Sequence, residues 1–352
     1  MKKNLTYILG AGASANALPV ANQIADTLRK FINFFQRCGG EIDNSIAYEG
    51  SEKKLSELKT ELLRDINEIL DNIIIIRPEL FSSMEMDIQP IRSTTFDDFA
   101  ENLDFNSEKF KRLSTAYSLV MSVEEFYNID TRYISFTNRI VEGSHFMRDN
   151  IKIINWNYDN QLQKSIMQTK KISYFEAYKR LNTIEKYTSF QRKSGSVFRL
   201  NGSFNYNFKH SRNESVPFLN DKNKKKHTER EIAKEIVKLY GYCVYHPDCH
   251  NLLSLNNDRY TNETKELAIN SVRDTQYLVI IGYSFPDLNA ETDKEILSSM
   301  TKLEKVFIQD LKPNDIKRSF KELYEDKSKF NNEDFFDTPD CSSFYIPLDT
   351  IT

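Results

Sequence analysis

The chain has 352 residues, of which 39% are hydrophobic and 28% are charged, and its formal net charge is −3. This composition is that of an ordinary globular protein, and it excludes intrinsic disorder and a global attraction to nucleic acid or to anionic membranes. The length exceeds that of most single cores, so we expect either two domains or one domain with a large insertion.

No stretch of the sequence approaches the roughly 18 consecutive apolar residues that a membrane-spanning helix needs. The first apolar stretch after Met1 is short and runs at once into glycines, which is unlike the core of a signal peptide. We therefore expect a cytoplasmic protein that has no membrane partner.

The four cysteines do not form the two close pairs that are typical of a structural zinc site. Cys243, His246, Cys249 and His250 lie within eight positions of each other, and a metal ion could use them. Free thiols and histidines in a surface loop are the favoured alternative, so we expect no metal.

The first predicted element is a strand over Leu5–Leu9, which is β-branched and apolar. It leads into the small-residue loop Gly10–Ser14, and a helix is predicted from Ala15 to Lys30. A strand, a small-residue loop and a helix in this order open a dinucleotide-binding unit. The GxGxxG fingerprint is incomplete because Ala15 occupies its third glycine position, and this disfavours an ordinary dehydrogenase.

Helical patterns dominate the next hundred residues. Apolar residues recur at helical spacing from Leu55 to Leu70, and further helices are predicted over Phe96–Leu103 and Phe110–Tyr127. No strong strand pattern occurs in this region. We interpret residues 35–145 as a helical insertion module, with residues 1–34 and 146–352 forming the sheet-containing domain.

Strand patterns return after residue 146 and alternate with helical patterns. The predicted strands are Ile151–Asn157, Val197–Leu200, Tyr242–Tyr245, Tyr277–Ile281 and Lys305–Ile308. This alternation predicts an α/β fold, namely a Rossmann-like parallel sheet with helices on both faces and a large helical insertion. The run Tyr277–Ile281 is continuously apolar, as a central parallel strand should be.

Glycines or polar residues follow five of the predicted strands. They are the loop Gly10–Ser14, Asn157 with Asp159, Asn201, Gly282 with Ser284, and Asp310. Because ligands of open α/β sheets bind beside the carboxyl ends of the strands, these residues are candidates for one common site. Each motif taken alone also has a structural explanation, such as an Asx turn at the start of the following helix.

Taken together, these motifs resemble those of the sirtuin-like NADase domains of bacterial anti-phage systems. The resemblance rests on residues 8–14 (ILGAGAS), 155–159 (NWNYD), 200–203 (LNGS) and 280–286 (IIGYSFP), and on 95–99 (TFDDF). These segments span nearly the whole chain and occur in the order that the family shows. The resemblance implies a Rossmann-like domain that binds NAD as a substrate.

The resemblance also implies roles for individual residues. Gly10, Ala11, Gly12, Ala13 and Ser14 would cradle the pyrophosphate of NAD. Asn157 would position the ribose and the attacking water, and Asp159 would support its loop. Gly282 and Ser284 would contact the phosphate and the adenosine ribose, and Asp310 would lie near that ribose. The reaction would break the bond between nicotinamide and ribose, through a positively charged, oxocarbenium-like transition state.

One position departs from the family pattern. Asn201 stands where the family has a histidine that acts as general base, and an asparagine cannot accept a proton near neutral pH. Three explanations remain open: an engineered inactivating change, a natural enzyme in which water or Asp159 accepts the proton, or a relative that only binds. His145 and His210 are further candidates to compensate for the missing histidine.

The expected function is that of an NAD glycohydrolase effector, which depletes NAD in anti-phage (abortive infection) defence. A non-catalytic subunit that binds NAD or ADP-ribose is the alternative, and a nucleotide transferase is a weaker one. The chain lacks the paired-cysteine zinc module of sirtuin deacylases. The resemblance further implies a homo-oligomer and a separate sensor, such as a HerA-type ATPase or a nucleotide-processing enzyme, with no direct nucleic-acid partner.

Overall fold

The computed structural model describes residues 2–20, 23–38, 53–73, 95–100, 102–104, 106–142, 146–185, 196–208, 215–217, 228–253, 259–324 and 331–350. Its helices are α1 (Ile24–Cys38), α2 (Leu55–Asn72), α3 (Phe96–Ala100), α4 (Glu108–Tyr127), α5 (Thr131–Ile140), α6 (Gln161–Lys170), α7 (Tyr174–Arg180), α8 (Glu229–Tyr245), α9 (Arg259–Ser271), α10 (Ala290–Ser299) and α11 (Pro313–Leu323). Its strands are β1 (Leu5–Leu9), β2 (Ile151–Asn155), β3 (Thr183–Ile184), β4 (Val197–Arg199), β5 (Gly202–Phe208), β6 (Ser215–Pro217), β7 (Cys249–Leu253), β8 (Tyr277–Ile281), β9 (Lys305–Gln309) and β10 (Phe335–Asp337).

Seven of these strands form one parallel sheet in the order β10-β9-β8-β1-β2-β4-β3. Strand β1 lies in the middle, where Leu5 pairs with Ile151 of β2 on one side and with Tyr277 of β8 on the other. The chain builds the sheet outward from β1 through β2, and later returns to β8 on the opposite side of β1. The predicted α/β fold is confirmed, and the strand order reverses beside β1.

Both faces of the central sheet are covered. Every residue of β1 and β8 is buried, and alternate side chains point to opposite faces. Ile8 and Ile280 belong to the hydrophobic core on one face, whereas Tyr7 and Val279 belong to the core on the other. Burial of each such side chain contributes about 1.5–3 kcal/mol, which explains why these strands are uniformly apolar.

The segment after β1 differs from the prediction. A helix was expected from Ala15, but α1 begins only at Ile24, and residues 11–14 form a short 3-10 turn instead. Pro19 accounts for the difference, because a proline disfavours the helical conformation in the residue before it. The carboxyl end of β1 is therefore followed by a compact turn and not by the first turn of a long helix.

The strand that was predicted over Tyr242–Tyr245 is wrong, because these residues form the last turn of α8. Thr228 and Glu231 cap the start of this helix, and its apolar positions Tyr240 and Cys243 continue a buried helical face. A four-residue apolar run cannot by itself distinguish a strand from the end of a buried helix. The actual strand, β7, pairs antiparallel with β5 in a separate three-stranded sheet ordered β6-β5-β7.

The helices predicted over 55–70, 96–103 and 110–127 are confirmed as α2, α3 and α4, with α3 ending earlier, at Ala100. Helices α1, α2, α4 and α8 share one hydrophobic core, whereas α5 packs against the large sheet. The domain limits drawn from the sequence stay a prediction. Within the described ranges, no helix is both long enough and apolar enough to cross a membrane.

Cys243 and Cys249 are free thiols whose Sγ atoms lie 3.2 Å apart, and both are buried. They belong to α8 and β7, so the expectation that they occupy a surface loop is wrong for these two cysteines. His246 lies between them and stacks its ring on Tyr242. Among the residues that the structure describes, no group of three or more His, Cys, Asp or Glu side chains is arranged to hold a metal ion.

Candidate functional site

The loops after β1 and β8 touch each other through their glycines. Gly10 N donates to Ile281 O (3.1 Å), and Gly12 N donates to Gly282 O (3.0 Å). A Cβ atom on Gly10 would lie 2.5 Å from Gly282 O, and one on Gly282 would lie 2.4 Å from Ala13 N. Gly282 also has a φ of +57°, a conformation that favours glycine. The contact between the two loops therefore requires glycine at both places.

This contact also limits how the first loop could hold an anion. The backbone N–H groups of Gly10 and Gly12 point to the β8 loop, and Ala13 N donates to Gly10 O (2.8 Å). A pyrophosphate bound here would have to use other donors. Ala11 and Ser284 are among the exposed residues of the two loops.

Asn157 joins the loop after β2 to the loop after β1. Its side-chain Nδ2 donates to Gly10 O (2.8 Å) and to Ser14 Oγ (3.3 Å). Its backbone N–H donates to the side chain of Asn155, and the neighbouring Trp156 N donates to Leu9 O (3.0 Å). The amide of Asn157 is thereby fixed in a buried position at the end of the central strands.

Ser14 and Asp159 form a buried hydrogen-bonded pair beside Asn157. Ser14 Oγ donates to Asp159 Oδ2 (2.7 Å) and lies 2.9 Å from the hydroxyl of Tyr133, which belongs to α5. Gln161 N donates to the other oxygen of Asp159 (3.0 Å). Burial raises the pKa of Asp159 to about 6, although its hydrogen bonds lower it. This carboxyl group is therefore mainly ionised at pH 7 and close to the range of a general base.

Asn201 lies on the next loop and is also buried. Its Nδ2 donates to Trp156 O (3.2 Å), so its amide supports the backbone just before Asn157. The position that holds a histidine in the sirtuin-like pattern thus carries no group able to accept a proton. His145 and His210, the histidines considered as substitutes, lie outside the described residues.

The remaining candidates lie on the loops after β8 and β9. Gly282 N donates to Gln309 O (3.1 Å), which links these two loops. Phe285 has a φ of 55°, which is rare for a residue with a side chain, and Ser284 just before it is exposed. Asp310 is partly exposed, and its Oδ1 accepts a hydrogen bond from Lys312 N (2.8 Å). One carboxylate oxygen of Asp310 is thus engaged in a local turn.

A second polar cluster lies beside these loops, and the motifs do not predict its contacts. Trp156 stacks on Tyr283, with ring centroids 5.7 Å apart and planes 5° apart. The Tyr283 hydroxyl donates to Asp293 Oδ2 (2.6 Å) and accepts from Asn289 Nδ2 (3.1 Å). Burial raises the pKa of Asp293 to about 8, while the Tyr283 hydroxyl and the nearby Trp156 indole lower it.

Arg132 at the start of α5 also contacts these loops, and the sequence motifs do not predict this contact. It is buried, it pairs with Asp130, and its Nη2 donates to Ala13 O (2.9 Å). Its Nη1 donates to Cys341 O (3.3 Å), so one guanidinium holds both the β1 loop and the C-terminal segment. These partners are distant in the sequence and share no motif, and therefore no local pattern could have indicated the contact.

The fold and these loops define a Rossmann-like α/β protein with a buried polar network at the carboxyl ends of its central strands, where the strand order reverses. Direct hydrogen bonds join seven of the eleven predicted site residues: Gly10, Gly12, Ala13, Ser14, Asn157, Asp159 and Gly282. Comparison with protein-family models gives no match, and comparison with curated proteins gives none either. The resemblance to sirtuin-like NADase domains stays a prediction from the motifs.

Proposed function

We propose that this chain binds NAD beside the carboxyl ends of its central strands and hydrolyses the bond between nicotinamide and ribose. The observation that carries the proposal is the single network at the reversal point, in which Asn157 bonds to Gly10 and Ser14, and Ser14 bonds to Asp159. In open α/β sheets, ligands bind outside the carboxyl ends of the strands at such a point.

The chemistry of the network suits a glycosidic cleavage. As the bond between nicotinamide and C1′ breaks, its electron pair leaves with nicotinamide and positive charge develops on the ribose. The buried carboxylate of Asp159 stabilises this charge. Water adds to C1′ and releases a proton, which passes through the Ser14 hydroxyl to Asp159. NAD and water thus give ADP-ribose, nicotinamide and a proton, and a base with a pKa of about 6 is suited to neutral pH.

The proposal is tested by measuring nicotinamide release from NAD by the purified chain and by Asn157→Ala and Asp159→Asn. We expect each change to lower kcat by about 100-fold or more, because each removes a group that acts on the transition state. Ser284→Ala is the matched control, since its hydroxyl lies outside this network, and we expect its main effect on KM. A chain that neither binds NAD nor releases nicotinamide would refute the proposal.

A binding-only role is the second candidate, and Asn201 is the observation that favours it. The amide of Asn201 donates to a backbone carbonyl and offers no proton acceptor. Under this reading the chain binds NAD or ADP-ribose without turnover. Measuring NAD binding by calorimetry together with nicotinamide release distinguishes the two candidates. Asn201→His should gain turnover only if the remaining groups of the NAD site are in place.

The biological role is proposed from the motif resemblance alone. Hydrolysis would deplete NAD in anti-phage (abortive infection) defence, and the activity would be held back until the chain oligomerises or a separate sensor binds. A HerA-type ATPase or a nucleotide-processing enzyme is the proposed sensor. Measuring cellular NAD after phage infection, with the chain intact or carrying Asn157→Ala, tests this role.

A further inference from the structure

Helices α3 and α4, which lie between β1 and β2 in the sequence, contact the loop that carries Asn157 and Asp159. Tyr158 OH donates to Asp97 Oδ1 on α3 (2.6 Å). Asn160 N donates to Glu125 Oε1 on α4 (2.5 Å), and Asn160 Nδ2 donates to Glu125 Oε2 (3.1 Å). Side chains of α3 and α4 therefore fix the residues on either side of Asp159.

Glu125 is the more deeply placed of these two carboxylates. It is 2% exposed, and both of its oxygens accept hydrogen bonds from the same loop residue, Asn160. Lys164 on α6 lies 3.8 Å from Oε2 and donates to the Glu125 backbone oxygen (2.7 Å). A glutamine here keeps only one acceptor oxygen and a shorter side chain withdraws both, so at least one hydrogen bond from Asn160 is lost, which is costly in a buried network.

On its other side, Asn160 is held by three further groups. Its Oδ1 accepts from Arg199 Nη1 (3.0 Å), from the Tyr174 hydroxyl (2.8 Å) and from Asn205 Nδ2 (3.1 Å). The same guanidinium donates to the backbone oxygens of Tyr158 (2.7 Å) and Asp159 (2.5 Å). The loop therefore lies between the guanidinium group of Arg199 on β4 and the carboxylate group of Glu125 on α4.

These two charges act on Asp159 in opposite directions. The charge of Glu125 raises the pKa of Asp159, second only to burial, and the charge of Arg199 lowers it. The other groups that face Asp159 are Ser14, the Gln161 amide and the Tyr133 hydroxyl, and the first two donate to it. A change in the charge of Glu125 must therefore alter the proton affinity of Asp159, even where the backbone stays in place.

We propose that Glu125 is a positioning residue for the NAD-hydrolysing site: it fixes Asn160, and through it Asn157 and Asp159, and so ties the site to α4. This inference rests on the proposed function. It gives α4 a contact with the loop of the reacting groups, in addition to its packing in a separate core.

The test compares Glu125→Gln with Glu124→Gln, which removes the same charge one position away on a partly exposed side chain. We expect Glu125→Gln to lower kcat by about 10- to 100-fold with little change in KM, because the loop is displaced while NAD is still held. The acidic limb of the kcat profile should also move to lower pH. The reason is that loss of the Glu125 charge lowers the pKa of Asp159, whose ionised form is active. Glu124→Gln should change neither quantity.

A second variant, Glu125→Asp, keeps the charge but shortens the side chain. We expect its acidic limb to stay at the wild-type pH while its kcat falls, and thermal unfolding identifies any variant that does not fold. If Glu125→Gln does not fold, a Glu125→Asp variant with wild-type kcat overturns the inference. An active wild-type chain whose Glu125→Gln and Glu124→Gln variants behave alike overturns this inference alone. A wild-type chain that releases no nicotinamide overturns the proposed function and this inference with it.

Discussion

Gly282 occupies a place where both the backbone conformation and the available space require glycine. Its φ is +57°, and a Cβ atom would meet backbone atoms of Gly12 and Ala13 at 2.4 Å. These atoms belong to a turn to which the Asn157 amide donates hydrogen bonds, at Gly10 O and at Ser14 Oγ. Gly282, which the motif resemblance assigns to phosphate contact, is thus also the residue that allows the loops after β1 and β8 to pack together.

Changing Gly282 to alanine should destabilise the protein by more than about 2 kcal/mol, because the positive φ and the backbone clash both oppose a Cβ atom. Urea unfolding at pH 7 measures this loss. The exposed neighbour Ser284, changed to alanine, provides the comparison and should stay within about 0.5 kcal/mol of wild type. Equal stability of the two variants would show that the loops do not pack as described.

At the scale of elements, helix α3 has a specific role that its five residues do not suggest. The helix starts at Phe96, whose ring stacks on Tyr117 of α4 with centroids 4.0 Å apart. This packing places Asp97 against the Tyr158 hydroxyl. Burial raises the pKa of Asp97 to about 6, whereas the hydrogen bond from Tyr158 lowers it. The short helix therefore holds a carboxylate against the loop between Asn157 and Asp159.

Replacing Tyr158 with phenylalanine should cost about 1–3 kcal/mol at pH 7, because the partly buried carboxylate of Asp97 loses the one side-chain donor it has among the described residues. The pKa of Asp97 should rise further, since the lost hydrogen bond was lowering it. A double-mutant cycle with Asp97→Asn isolates the pair. A coupling energy near zero would contradict the contact between α3 and the loop.

The large sheet could be predicted because each of its central strands carries a local signal, an apolar run that ends in glycine or a polar residue. The last turn of α8 could not be predicted, since the run Tyr242–Tyr245 is too short to distinguish the spacing of apolar residues in a helix from that in a strand. The contacts of Glu125 and Arg132 also left no local signal, because their partners lie 35 and 119 positions away in the sequence. The candidate residues at strand ends were accessible to sequence reasoning, and the residues that hold them were not.

For the whole molecule, three carboxyl groups with raised pKa values give stability a dependence on pH. Burial raises the pKa of Asp97 and Asp159 to about 6 and that of Asp293 to about 8. An acid whose pKa is higher in the folded state keeps a proton that the unfolded chain has lost. The contribution of these three groups to stability is therefore largest at low pH and falls as pH rises from about 4 towards 8.

Between pH 6 and pH 8, Asp293 should dominate this dependence. We expect the free energy of unfolding of the wild type to fall by up to about 1.4 kcal/mol per pH unit in this interval. Asp293→Asn, which imitates the protonated acid, should flatten the slope. Glu291→Gln, an exposed acid on the same helix, should leave it unchanged. Urea unfolding at several pH values measures the slope, and an unchanged slope in Asp293→Asn would contradict the burial of an acid at this position.

Trp156 is the only tryptophan of the chain, and its indole stacks on the ring of Tyr283 directly before Asn157 in the sequence. Its backbone N–H is bonded to Leu9 at the end of β1, and its C=O is bonded to Asn201 in the loop after β4. The protein thus contains an intrinsic fluorescence reporter, because all tryptophan emission comes from Trp156. Any molecule that enters and shifts these loops should change the colour or intensity of that emission, without a dye or an engineered label.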